Sequence, residues 1–288
     1  MRALIESLRP RQWVKNTFVA APLVFAKRLN DPHTALRALA AVAIFCAVSS
    51  AVYLWNDLID IEKDRAHPHK QKRPIPSGRL SVQTARIASA TLAAGALALS
   101  WLVDWRFACC VLAYLANNVA YSLRVKHVVY LDVLSIAAGF LVRVAAGAFA
   151  VGVDASAYLF LCTGLLATYL VFGKRAHELA VAGERAAQQR AVLRAYRPTV
   201  LRVALYVTAS ATFVCYVLYT RAEHTVSFFG TTRMLWTAPF AAFGLIRFFV
   251  LVQTPKGESP TEEILKDAPF MLNLLTWAAA ITLIIYFR

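Results

Sequence analysis

Four side chains near residue 60 have the types and spacing of a metal site: Asn56, Asp57, Asp60 and Asp64 read N-D-x-x-D-x-x-x-D. On a continuous helix Asn56, Asp60 and Asp64 fall along one face, with Asp57 one step round. Carboxylates held that close repel one another unless a cation sits between them. Three carboxylates and an amide oxygen suit Mg2+, a hard ion that commonly shares its shell with substrate phosphates. A solvated helix end, its acids paired to Lys63 and Arg65, is the plainer alternative, and it leaves the spacing unexplained.

The chain then turns basic. His67, Lys70 and Arg73 recur at every third residue and lead into Pro74-Ile75-Pro76-Ser77-Gly78-Arg79. Pro and Gly there stop a helix and make a fixed, turning loop. Lys meets a phosphate as a point charge and Arg as a fork. Beside a metal, such cations hold a diphosphate and stabilise it as it leaves. A second basic pair, Lys174 and Arg175, lies in FGKRAHEL (172–179), where Glu178 is four residues beyond Lys174. A plain helix ion pair is the alternative there.

Other polar groups stand inside apolar segments. Asp132, Gly139 and Arg143 share one helical stripe, and ionisable groups in a membrane span usually face a bundle interior. Asn117 and Tyr121 are spaced i, i+4 and are followed by Arg124 and Lys126. Arg11 and Lys15 have the same spacing, beside Trp13 and Asn16. Interhelical hydrogen bonds, an aromatic belt and lipid headgroups are the alternatives for these residues.

The elements that must position these groups are membrane spans. Of 288 residues, 59% are hydrophobic and only 16% charged, against roughly a quarter charged in soluble domains. Apolar runs predict nine spans, at 13–29, 34–56, 82–103, 106–122, 129–151, 156–173, 200–220, 233–252 and 268–287. Pro22 breaks the first. With no long linker or low-complexity segment, residues 1–288 read as a single all-α transmembrane domain, and nothing marks the basic N-terminus as a cleaved signal.

Of 31 lysines and arginines, 23 fall on the side of the N-terminus and seven on the other. The positive-inside rule therefore puts the N-terminus and the motif loops in the cytoplasm, and the C-terminus outside. The formal net charge of +15 suits anionic lipid headgroups, and part of it suits an anionic substrate. No nucleic-acid module is visible. The five cysteines all lie in spans without ligand spacing and read as small buried hydrophobes. Nothing in the sequence excludes an oligomer.

An acidic metal half joined to a basic phosphate half resembles the first motif of the UbiA superfamily of membrane prenyltransferases. The resemblance implies nine helices around a central cavity open to the cytoplasmic side, with Mg2+ on a diphosphate at cytoplasmic loops. Typical members carry a second aspartate-rich motif after span 6, where this chain has FGKRAHEL. That departure, with LRPRQWVKN (8–16), NDxxDxxxDRxHPxKxxRPIxSG (56–78) and GKRxxEL (173–179), resembles the branch of decaprenyl-phosphate phosphoribosyltransferases. YSLRVKH (121–127) and LDVLSIAAGFLVRVAAG (131–147) agree with it.

The branch implies transfer from 5-phosphoribosyl 1-diphosphate (PRPP) to a polyprenyl phosphate at a cytoplasmic membrane. On that reading Asn56, Asp57, Asp60 and Asp64 hold Mg2+, and Asp57, Asp60, Asp132 and Lys174 serve the chemistry. Lys15, Asn16, His67, Lys70, Arg73, Asn117, Tyr121, Lys126, Arg143, Lys174, Arg175 and Glu178 contact PRPP. Two alternatives stand beside it. One is an ordinary prenyltransferase acting on a prenyl diphosphate and an aromatic or other acceptor. The other is a non-enzymatic transporter of an anion or lipid, whose site would be expected nearer mid-bilayer.

Overall fold

A computed structural model describes residues 1–66, 70–182, 191–254 and 260–287. Among these residues all regular structure is helical. The α-helices are α1 (Arg2–Leu8), α2 (Ala21–Phe25), α3 (Pro32–Ile59), α4 (Ile61–Arg65), α5 (Val82–Val103), α6 (Trp105–Leu123), α7 (Leu131–Val151), α8 (Ala157–Ala182), α9 (Pro198–Arg221), α10 (Glu223–Phe229), α11 (Ala238–Gln253), α12 (Pro260–Glu263) and α13 (Ala268–Tyr286).

Helix starts follow local chemistry. Asp31 accepts from the backbone of His33 and Thr34 at the start of α3, and Ser81 from Thr84 at the start of α5. Asp104 caps α6 and Asp267 caps α13 in the same way. Each side-chain oxygen satisfies N–H groups that the first turn leaves without a helical partner.

Among the described residues, seven helical segments are long and apolar enough to cross a membrane: α3, α5, α7, α8, α9, Arg233–Gln253 and α13. The expected span 82–103 coincides with α5, and 268–287 with α13 to within a residue. Two expected spans are not among the seven. Helix α6 is continuous, with Arg106, Asn117 and Asn118 diluting its apolar run. Residues 13–29 are not one helix: a 3-10 helix covers Pro10–Val19, and the short α2 follows. The ring of Pro22 has no N–H for Phe18 and prevents a continuous α-helix across the junction.

The chain divides into two compact units. The first comprises Met1–Val125 with Gly139–Ala155, and the second Lys126–Ala138 with Ser156–Arg288. In the first, α3 packs against α5, α6, α1 and the 3-10 helix. Its core centres on buried Phe45, whose ring meets the edges of Phe107 and Tyr114 at 5.9 and 5.6 Å. In the second, α8 packs on α9 and α11 on α13, around Tyr169, Leu205, Phe248 and Val252. Leu102 on α5 is 83% exposed. In a multi-pass membrane protein such apolar exposure is the face turned to lipid.

One close approach seats the 3-10 helix. A Cβ built on Gly147 of α7 would lie 1.9 Å from the backbone oxygen of Val19. That atom is main chain in a buried core and cannot swing aside. Gly147→Ala is therefore expected to destabilise the first unit by at least about 1–3 kcal/mol, the usual range for overpacking. Thermal unfolding in detergent checks this, and a melting temperature equal to wild type would show the contact to be loose.

Candidate active site

The acidic motif spans a break between two helices. Helix α3 ends at Ile59, Asp60 sits at the junction with φ −95° and ψ 12°, and α4 begins at Ile61. Asp57 and Asp64, on either side of that break, converge on one guanidinium. Both converging carboxylates are 3% exposed, while Asp60 is half-buried. Asn56 accepts a hydrogen bond from the Ser122 hydroxyl of α6.

A cation already sits between the two aspartates. Arg73 Nη1 lies 3.1 Å from Asp57 Oδ1 and 2.6 Å from Asp64 Oδ2. Arg9 Nη2 approaches the same Asp57 oxygen at 2.5 Å, and Lys70 Nζ stands 3.9 Å from Asp64. Arg65 pairs with Glu62 instead of with the motif aspartates. The plain pairing to Lys63 and Arg65 is thus not what neutralises Asp57 and Asp64.

The loop that carries Arg73 is the fixed turn expected from its prolines and glycine. Ser77 N–H donates to Arg73 O, Gly78 N–H to Ile75 O, and Leu80 N–H to Pro74 O at 2.9–3.1 Å. Gly78 has φ +77°, in the left-handed region open to glycine. Ile75, 2% exposed, anchors the turn beside Leu54 and Ala85. Arg79 forks the Glu6 carboxylate at 2.9 and 3.0 Å, which holds Glu6 below the usual carboxylate range. This ties α1 to the basic loop. The Ser50 hydroxyl donates to Leu8 O and accepts from Trp13 Nε1, each at 3.0 Å, and so fixes the chain on both sides of Arg9.

The residues present fit a divalent metal. Two buried carboxylates converge on one cation, Arg73 Nη1, with an amide oxygen and Asp60 on the same segment. All the donors are oxygen, the set that suits Mg2+. Among the described residues no three acidic, His or Cys side chains gather closely enough to hold a metal alone. Substrate oxygens would complete the shell, as is usual for Mg2+.

A different network forms in the second unit. FGKRAHEL forms part of α8, which runs past the expected span end at 173 to Ala182. Lys, Arg, Ala, Glu and Leu all favour a helix, and the i, i+3 and i, i+4 pairs reinforce it. Arg175 Nε donates to Asp132 Oδ2 at 2.7 Å, and Nη1 to Glu178 Oε2 at 2.6 Å. The Tyr196 hydroxyl donates to Asp132 Oδ1 at 2.5 Å and accepts from the Tyr130 N–H. Burial and the Asp132 acceptor push the Tyr196 phenol well above its usual range, so it stays protonated.

Asp132 and Arg175 are 0% and 1% exposed. Read from the sequence as a catalytic group and a PRPP contact, they form a buried ion pair in this structure, because a lone charge at either position would lose its hydration uncompensated. Lys174 Nζ is 4.0 Å from Glu178 Oε1, and its side chain is 38% exposed. The expected connection 174–199 is helical to Ala182 and forms a 3-10 turn at Ala191–Ala195; residues 183–190 and His67 lie outside the described residues.

Arg143 and Asn16 bind each other inside the first unit. Arg143 Nε donates to Asn16 Oδ1 at 2.9 Å, Nη1 to Gly139 O, and Nη2 to the Tyr114 hydroxyl at 3.0 Å. The guanidinium also lies over the Tyr114 ring. Asn16 in turn donates to Ser49 Oγ. Expected as PRPP contacts, both are interhelical ties in this structure. Lys15, Asn117, Tyr121 and Lys126 are each half-buried. Sequence reasoning missed Arg9, Ser122 and Tyr114 as partners of site residues. Arg9 stands in the LRPRQWVKN stretch, but its partner is 48 residues away and no local spacing marks it.

The model of the UbiA prenyltransferase family matches residues 16–286. The chain is 32% identical to a decaprenyl-phosphate phosphoribosyltransferase of Mycolicibacterium smegmatis, over 99% of its own length and 92% of that protein. It is also 32% identical to the protein of the same name from Corynebacterium glutamicum, over 98% and 86%. Among solved structures, a UbiA homolog from Archaeoglobus fulgidus bound to DMAPP and Mg2+ shares the fold, with a TM-score of 0.71, 17% identity and 99% of both chains covered.

Proposed function

Because the chain belongs to the UbiA prenyltransferase family, we propose that it moves the 5-phosphoribosyl group of PRPP to a polyprenyl phosphate, such as decaprenyl phosphate, releasing pyrophosphate. Relatives bearing that name match it along nearly their whole length. The observation that carries the choice of PRPP is the segment Lys174–Glu178. There, where typical members place a second aspartate-rich metal motif, Arg175 is enclosed by Asp132 and Glu178, and among the described residues the segment offers no further acidic pair. Such a network favours an anion at Lys174 over a second metal.

In this reading Asn56, Asp57, Asp60 and Asp64 hold Mg2+, which when bound withdraws charge from the departing diphosphate. Arg73, Lys70 and His67 donate to diphosphate oxygens as negative charge grows on them. Lys174 meets a phosphate of the substrate, and Asp132, Arg175 and Glu178 hold it in place. Lys15, Asn117, Tyr121 and Lys126 supply further polar contacts. The acceptor phosphate is already an anion at neutral pH, so no side chain has to remove a proton from it. Its oxygen bonds to C1 of the ribose as the C1–diphosphate bond breaks, and positioning with charge stabilisation carries the rate.

The proposal includes one catalytic domain over 1–288, nine spans and a cavity open to the cytoplasmic side. It also places the protein in the inner membrane with its N-terminus in the cytoplasm and its C-terminus outside. PRPP is a soluble polyanion, and the basic side of the chain is the side that would meet it. The test uses purified protein in nanodiscs with Mg2+, PRPP and decaprenyl phosphate. Pyrophosphate and a phosphoribosylated lipid should appear together and vanish with EDTA. Turnover of a prenyl diphosphate with an aromatic acid, and none with PRPP, would overturn the assignment.

A further inference from the structure

Arg9 lies outside every spacing motif, yet its contact with Asp57 is closer than that of Arg73, at 2.5 against 3.1 Å. Its backbone is left-handed, with φ 53° and ψ 60°, a conformation that a non-glycine residue keeps only where the surroundings enforce it. The surroundings here are the Arg9 N–H bond to Glu6 O and the Ser50 bond to Leu8 O. The guanidinium carbon stands 5.1 Å over the Tyr53 ring. The side chain is 28% exposed while that of Asp57 is 4% exposed. Arg9 is thus held with one edge on a buried carboxylate and another toward water.

Arg9 and Arg73 share one oxygen of Asp57, while Arg73 and Lys70 approach Asp64. A divalent ion arriving alone would compete with two guanidiniums for the same oxygens. A diphosphate arriving with the ion offers those guanidiniums new acceptors.

We propose that Arg9 is a diphosphate-positioning residue held on Asp57 until substrate arrives, so that the site admits a metal–diphosphate and resists the free metal. On loading, Arg9 and Arg73 leave the Asp57 oxygen and donate to diphosphate oxygens, with no covalent change. Arg9 thereby adds a second guanidinium fork, from outside the basic loop, to that of Arg73, beside the point charge of Lys70. This rests on the reading that the site takes a metal-bound diphosphate.

The test is Mn2+ titration of full-length wild type and Arg9→Gln in nanodiscs, followed by electron paramagnetic resonance, with and without pyrophosphate. Arg9→Gln should bind Mn2+ alone about tenfold more tightly and pyrophosphate with Mn2+ about tenfold more weakly, the scale of one charge-assisted hydrogen bond. Opposite movement of the two affinities is the signature. Both falling together, or neither changing, overturns the proposal and leaves Arg9 a structural tie. Arg9→Lys keeps the charge and loses the fork. It should shift both affinities in the same opposite senses by less, and it decides the matter if the Gln variant does not fold. Wild type showing no pyrophosphate-dependent Mn2+ uptake would instead overturn the underlying metal–diphosphate reading.

Discussion

Asp57→Asn is expected to lower kcat for phosphoribosyl transfer by about a hundred- to a thousandfold, the usual loss when a charge-stabilising contact is removed from an active site. The amide keeps the shape of the carboxylate and removes its charge. Asp57 is buried, and both Arg9 and Arg73 lean on one of its oxygens. In the variant those guanidiniums face a neutral group, and a divalent ion loses one of the two converging carboxylates. Steady-state kinetics at saturating PRPP and Mg2+ checks the loss, with circular dichroism to show that the variant is folded. Activity near wild type would remove Asp57 from the site. Asp64 shares Arg73 with it, so the reasoning carries to Asp64→Asn.

The second large effect is on stability. Asp132→Asn leaves the guanidinium of Arg175 buried at 1% exposure with Glu178 as its remaining carboxylate among the ion pairs described. Breaking a buried pair by removing one partner typically costs about 3–5 kcal/mol. The variant should melt well below wild type in detergent. Tyr196→Phe removes only the hydroxyl bond to the same carboxylate and should cost about 1 kcal/mol. Arg175→Lys should not restore wild-type stability, because a single ammonium cannot reproduce the Nε and Nη1 bonds to two different carboxylates. An Asp132→Asn variant that melts like wild type and needs more PRPP would return Asp132 to direct contact with ribose.

These two sites separate what composition and spacing carry from what they leave out. Helix α5 was legible to the residue, because its apolar run, its Ser81 cap and its length are local properties. The turn through Gly78 was equally legible, since Pro fixes φ and Gly opens the left-handed region wherever they stand. The break at Asp60 was not, because helical periodicity assumes that a helix continues. The expected span stopped at residue 173 because charges end the apolar run there, while the residue types that follow favour a helix that runs on to Ala182.

Charge pairing across long separations is the part that no spacing rule reaches. Arg9 to Asp57, Arg143 to Asn16 and Arg175 to Asp132 join residues 48, 127 and 43 positions apart. In each case a guanidinium meets an oxygen donated by another segment, because a buried charge has to recover in hydrogen bonds what it loses in hydration. The membrane class and most of the spans could be read from the chain alone, since hydrophobic length belongs to individual residues. Which aspartates converge, which arginines they hold and which cation stays open to water were decided by the packing of helices distant in sequence, where burial makes every charge find a partner.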